Sequence, residues 1–322
     1  MRILFLINLA LIAFSFSGSC RPEAIDISKN TDFNPNDSIK KLVIVLVDGP
    51  RWQETGGDAT HTLQPRFFSQ IVDKGIFFTD FVNSGRTYTL AGHVSIFTGQ
   101  NESIPNDGTQ LPQFPGLSQL FLEKYQIPQE KVCVLASKDK IAVLANCVLP
   151  DYYSKYQAYT DCGKLGLGSG YRADSITQLK ALQIIDSNHP DFLFVQYKEP
   201  DASGHANNWE GYKKGIVDTD KYIEQLWNKI NADPYYAGKT YFIVTNDHGR
   251  HSDEVKSGFV SHGDTCFSCR HINLFVSGPG VKNNFIESGR FDQRDLNKTL
   301  LRIFGLKDNF STGRIIKSIM EN

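Results

Sequence analysis

Residues 40–49, KKLVIVLVDG, restrict the fold of this chain more than any other segment. Residues 42–47 are an unbroken apolar run rich in Val and Ile, so neither face of a strand built from them can meet water. Such a strand belongs in the middle of a parallel sheet. It stops at Asp48-Gly49, where glycine lets the backbone turn away and leaves the carboxylate on the sheet edge. Parallel neighbours need long crossover connections, so helices must alternate with further strands.

That alternation continues along the chain. Strands are expected at 76–83, 131–137, 191–197, 241–245 and 271–278. Helices are expected at 64–74 (Phe67, Phe68, Ile71 and Val72 at helical spacing), at 89–97 and at 117–124. A further helix spans 172–186, with Ile176, Leu179, Leu182 and Ile185 on its apolar face. The longest covers 209–230, where Tyr212, Ile216, Ile223, Leu226, Trp227 and Ile230 form one stripe. A last helix runs over 295–304 and ends at Gly305. The fold class is therefore α/β, a mostly parallel central sheet with helices on both faces, in one domain over residues 41–322. Residues 149–170, rich in loop formers, read as an insertion over the rim.

Arg2 followed by the apolar residues 3–14 and the small-residue stretch before Cys20 reads as an export signal. Ser17-Gly18-Ser19-Cys20 looks like a relaxed bacterial lipobox. It makes residues 1–20 a signal peptide whose cysteine carries a lipid, and residues 21–40 a polar tether; plain secretion is the alternative. The expectation is an exported periplasmic or cell-surface lipoprotein, held to the membrane through Cys20. An oxidising compartment makes Cys133, Cys147, Cys162, Cys266 and Cys269 disulfide candidates, with two bridges and one free thiol the simplest account. Cys266-Phe-Ser-Cys269 also has the form of half a zinc knuckle. A second Cys or His pair at knuckle spacing is missing, so a local disulfide or a redox-insensitive loop is expected and a metal is the minority alternative. The net charge of -1 gives no electrostatic case for a nucleic-acid partner.

Several residues sit where strands end or helices begin, the rim on which parallel α/β folds build their sites. Asp48 closes the first strand. Asp201 and His205 follow the strand at 191–197, and a spacing of four puts both on one side of a helical turn. Asp247-His248 closes the strand at 241–245. His262, in Ser-His-Gly-Asp, offers a last imidazole, for which His251 and His271 compete. Thr89 opens a helix, where a hydroxyl meets unpaired N–H groups and the positive end of the dipole. Taken singly, each has a commoner role as a cap, turn or surface residue. Together, Asp48, Thr89, Asp201, His205, Asp247, His248 and His262 could hold two metal ions and a nucleophile, and mixed oxygen and nitrogen donors suit zinc. His93 reads as structural.

In this order, VIVLVDG, TLAGHVSIFTG, EPDASGH, VTNDHG and SHGD resemble the alkaline phosphatase superfamily, most closely its nucleotide pyrophosphatase/phosphodiesterase branch and the related phosphate-irrepressible phosphatases. The resemblance covers most of the chain. It implies two Zn2+ ions, one held by Asp201, His205 and His262, the other by Asp48, Asp247 and His248 with Thr89 as nucleophile. It also implies that Lys138 and Lys140 contact phosphoryl oxygens, although a lysine stands at 140 where the monoesterases have arginine, and that Asn106 donates a hydrogen bond to the phosphoryl group. The segment beginning at Thr89 lacks the Cys or Ser of a sulfatase. There is little room for the inserted domain of the cofactor-independent phosphoglycerate mutases. Leu90 is expected to wall the leaving-group side. The implied function is hydrolysis of small phosphodiesters or nucleotides through a phosphothreonine; the alternatives are a phosphate monoesterase and a surface lipoprotein that only binds its ligand.

Overall fold

The computed structural model describes residues 40–320 apart from 256. The segment read as a signal peptide, Cys20 and most of the segment read as a tether lie outside the described residues. Nine strands form one sheet: β1 Lys41–Asp48, β2 Ile76–Val82, β3 Val132–Ala136, β4 Tyr159–Cys162, β5 Phe192–Pro200, β6 Thr240–Asn246, β7 His271–Ser277, β8 Phe285–Glu287 and β9 Phe291–Asp292. Their order is β4-β3-β5-β1-β6-β7-β2-β8, with β9 also on β2. All pairings are parallel except those of β7 with β6 and β2. The mostly parallel α/β class expected from the sequence is the one observed.

β1 is central, paired in register with β5 on one side and β6 on the other. Its alternation explains the unbroken apolar run. Leu42, Ile44 and Leu46 point into a core shared with α1 (Thr89–Thr98) and α2 (Leu117–Tyr125). Val43, Val45 and Val47 enter a second core beneath α3 (Asp174–Asn188). The short α4 (Asp201–His205) comes next, and α5 (Trp209–Ala232) covers the second core with Ile223, Leu226 and Ile230. After the single turn α6 (Phe267–Arg270), α7 (Gln293–Phe304) closes the first core with Leu296, Leu300 and Phe304. It begins two residues earlier than its apolar pattern suggests, because Asp292 and Asp295 form a capping box, and it ends on left-handed Gly305. Among the described residues no helix is long and apolar enough to cross a membrane.

Four expectations need correction. The segment at 64–74 is a π turn followed by a 3-10 turn, not one helix; the buried Asp220 carboxylate accepts the N–H groups of Arg66 and Phe67 and fixes its start. α3 turns a different face inward: Ile176 and Leu179 are exposed, while Thr177, Gln178, Ala181, Ile184 and Ile185 are buried. Polar anchors set that rotation, since Gln178 meets the Tyr197 hydroxyl and Thr177 the Ser137 hydroxyl. Residues 149–170 contribute edge strand β4 to the sheet instead of forming only an insertion. Finally, all five described cysteines are free thiols. Cys133 packs in the core on one side of the sheet and Cys147 and Cys162 in the core on the other, so the sheet separates Cys133 from the other two.

Candidate active site

β1, β3, β5 and β6 run parallel, so their C-terminal ends deliver Asp48, Lys138, Asp201, Asp247 and His248 to one rim. Gly49, at φ +69°, lets the chain leave β1 beside Asp201, where a Cβ would lie 2.9 Å from the Asp201 Cβ. α1 brings Thr89 to the same rim. It can come this close because position 92 is glycine: a Cβ there would meet the Asp247 carbonyl oxygen at 2.4 Å. Gly92→Ala is therefore expected to push α1 and Thr89 outward. A displacement near 1 Å at a reacting atom costs on the order of 10²-fold in turnover, measurable as kcat with a chromogenic phosphate ester.

Two donor groups adjoin. In the first, Asp201 Oδ1 lies 3.3 Å from His205 Nε2 and 3.4 Å from His262 Nε2, and the two Nε2 atoms are 2.9 Å apart. In the second, His248 Nε2 lies 3.6 Å from Asp48 Oδ1 and 3.4 Å from Asp247 Oδ2. These last three atoms are buried and have no hydrogen-bond partner. Three buried lone-pair donors left facing one another are costly unless a cation lies among them. Backbone carbonyls orient two of the imidazoles: His262 Nδ1 meets Thr87 O at 2.7 Å and His248 Nδ1 meets Gly249 O at 2.9 Å, which turns each Nε2 toward the site. The donor chemistry fits a divalent metal in the first group; in the second, Asp48 and His248 stand with Asp201 close enough to share a cation, and Asp247 adjoins them through its 3.4 Å approach to His248.

The electrostatics agree. Burial, and then the neighbouring Asp48 charge, hold the Asp247 carboxyl well above its usual range. Burial also raises Asp48, with Lys138 opposing. Burial would raise Asp201 too, but Lys138 and the hydrogen bonds from His205 and His262 outweigh it and hold that carboxyl well below the ordinary value. Burial and His262 keep His248 neutral, with its pKa well below the usual imidazole value. Asp201 is thus held as a carboxylate against the buried cations Lys138 and Arg250, while Asp48 and Asp247 are held toward the neutral form, which a bound cation would reverse.

All seven residues expected to form the centre meet here. Thr89 is buried at the start of α1, its Oγ 3.2 Å from Lys138 Nζ. Lys138 Nζ also lies 2.8 Å from Asp48 Oδ2 and 2.7 Å from Asp201 Oδ2. Asn106 accepts the Leu90 N–H at 2.9 Å, and Lys140 donates to the Asn106 carbonyl at 2.8 Å, so both border the nucleophile segment. His93 is fully buried, with Nδ1 2.7 Å from Thr89 O. Leu90 does not wall the pocket; it is fully buried in the first core. His271 stacks on Trp52, and His251 belongs to a different cluster.

Sequence reasoning missed two residues. Arg250 is fully buried and its guanidinium pairs with Asp201 Oδ1. Gln196 donates to Asp48 Oδ2 at 2.9 Å and accepts from Lys138 N at 3.2 Å. The only sequence signal for Gln196 was a polar residue inside an otherwise apolar strand.

The profile described as the metalloenzyme superfamily matches residues 37–308. A phosphopentomutase of Clostridium kluyveri is 28% identical over 131 residues, 40% of this chain and 30% of that one, so the match takes in less than a third of the mutase. Among solved structures, a protein in the alkaline phosphatase superfamily from Vibrio parahaemolyticus aligns with a TM-score of 0.62 at 15% identity, over 88% of this chain and 70% of that one. Murine ectonucleotide pyrophosphatase/phosphodiesterase 5 aligns at 0.61 and 14% identity, over 85% of this chain and 97% of its own. Parallel sheet, rim and donor groups are thus joined to a profile match over most of the sequence, and the chain belongs to the alkaline phosphatase-like metalloenzyme superfamily.

Proposed function

We propose that the protein is an exported, lipid-anchored two-zinc phosphoesterase that cleaves small phosphodiesters or nucleotides through a phosphothreonine. The observation that carries this reading is the set of buried, partnerless donors Asp48 Oδ1, Asp247 Oδ2 and His248 Nε2, joined to the buried Thr89 hydroxyl through Lys138 Nζ, which reaches both Asp48 and Thr89. One zinc would be held by Asp201, His205 and His262, the other by Asp48, Asp247 and His248. When bound, the ions supply Lewis acidity, lowering the pKa of the attacking hydroxyl and steadying charge on the departing oxygen. Murine phosphodiesterase 5 supports the choice of nucleophile and substrate, since an inactive threonine-to-alanine variant of it has been solved with AMP.

The residues divide the work. Thr89 Oγ gives its proton to solvent and forms a bond to phosphorus as the bond to the leaving alkoxide breaks, and the alkoxide leaves with a proton from water. Water then attacks the phosphothreonine, the P–Oγ bond breaks, and Thr89 regains its proton. The α1 N-terminus and the Lys138 ammonium face the negative charge that builds on Thr89 Oγ and on the phosphoryl oxygens. Arg250 and Gln196 hold Asp201 and Asp48 in place.

A second reading, a phosphate monoesterase, is favoured by Lys138 Nζ lying 3.2 Å from Thr89 Oγ, where it can meet the extra charge of a dianionic phosphoryl group. Comparing aryl diester with aryl monoester turnover by the zinc-loaded protein decides between them. A kcat/KM ratio favouring the diester is expected; a ratio strongly favouring the monoester would establish the second reading. Burial and the neighbouring Lys138 charge bring the Lys140 ammonium down to about 8. It is positive below that pH and neutral above it, so KM for an anionic ester should rise as pH passes through 8. Lys140→Gln should flatten that limb of the pH profile.

A further inference from the structure

His251, Asp264, Cys266 and Cys269 meet beyond the rim pocket, with one donor atom from each lying within 4.8 Å of the others. Asp264 Oδ2 is 3.0 Å from His251 Nε2, and the Cys269 N–H donates to Cys266 Sγ at 3.3 Å. His251 is nine-tenths buried. Its Nε2 has no hydrogen-bond partner despite the nearby carboxylate, while its Nδ1 faces Ser257 Oγ at 3.2 Å. A buried imidazole nitrogen with no hydrogen bond, a carboxylate oxygen 3.0 Å from it and two sulfurs within 4.8 Å make a donor set that a cation would complete.

From these contacts we infer that the four side chains form a separate, closed zinc site. The set is two sulfurs, one imidazole and one carboxylate, which favours a borderline-soft tetrahedral ion over Mg2+ or Ca2+. Four protein donors leave no position for substrate, so its role is structural. Outer contacts already orient the donors: the Cys266 N–H binds Asp264 Oδ1 at 2.8 Å, and Ser257 holds the far side of the imidazole.

The place of the site in the fold gives it a purpose. His251 lies three residues after His248, and Asp264 two after His262. The segments are further joined by Gly249 N to Cys269 O at 2.8 Å, His251 N to Ser261 O at 3.0 Å, and Thr87 Oγ to Asp264 O at 2.7 Å. A metal here would pin the loops carrying His248 and His262 to each other and to the loop leading into Thr89. The competing chemistry is a Cys266–Cys269 disulfide, which would remove both sulfur donors.

Full-length protein stripped of metal and reloaded with Co2+ tests the site, because cobalt bound by thiolate absorbs through a sulfur-to-metal charge transfer that oxygen and nitrogen donors do not give. The wild type is expected to show this band. Cys266→Ser/Cys269→Ser is expected to lack it and to bind one equivalent of zinc fewer, a difference independent of how many ions the rim holds. Should that variant not fold, zinc-edge absorption of the wild type replaces it, with sulfur scatterers expected at about 2.3 Å. No charge-transfer band, no sulfur scatterers, or a Cys266–Cys269 disulfide in protein isolated after export would overturn the inference.

Discussion

Thr89→Ala is expected to lower phosphate-ester hydrolysis by at least about 10⁴-fold, with thermal stability nearly unchanged. The hydroxyl is buried at the first turn of α1, and its recorded contact is the Lys138 ammonium at 3.2 Å. Deleting it takes away the attacking oxygen but no core packing beyond one methyl group. Thr89→Ser keeps the oxygen and loses the branch that restricts χ1, so it should retain a measurable fraction of the rate. Acid quenching during turnover of a labelled ester should trap label on Thr89 in the wild type and none in the alanine variant. If Thr89→Ala turned over at the wild-type rate, water would be the nucleophile and Thr89 only a helix residue.

Metal removal should have the other large effect, on stability as well as rate. Each ion held at 100 times its dissociation constant contributes about 2.7 kcal/mol to the folded state, so a chelator should abolish turnover and lower the melting temperature together. Asp247→Asn gives the sharper form of this test. Without metal, Asp247 is buried beside Asp48, and its carboxyl is pushed well above the ordinary range. A neutral amide relieves that repulsion, so the metal-free variant should melt at or above the metal-free wild type. It supplies a weaker donor, so with saturating zinc the order should reverse. Calorimetry of the four samples reads both comparisons, and an unchanged order would remove Asp247 from the metal-binding set.

Much of this could be read before the fold was seen, for a physical reason. β1, β5 and β6 are buried on both faces, so their apolar runs are nearly continuous and the acidic residues that follow them fall on the rim. Asp48, Asp201 and Asp247 therefore mark themselves by position. α5 was legible because it is amphipathic and long. What escaped depended on partners distant in the chain. The inward face of α3 is set by Gln178 and Thr177 meeting Tyr197 and Ser137. Arg250 is buried because Asp201, 49 residues away in the chain, and the carbonyls of Phe259 and Val260 satisfy its guanidinium. Leu90 is in the core because α1 presses its second residue inward, and β4 is too short and polar to announce a strand. The Cys266 pair lacked a second half only while His251 and Asp264 were counted by spacing instead of by contact.

The central claim, that seven residues from separate segments converge to hold metal around a reactive threonine, is tested most directly by crystals of zinc-loaded protein measured on both sides of the zinc absorption edge. Two anomalous peaks are predicted in the rim pocket, one touching Asp201, His205 and His262, the other touching Asp48, Asp247 and His248 beside Thr89. A rim without anomalous density under saturating zinc, or a peak that leaves Asp48 and His262 uncoordinated, would contradict it.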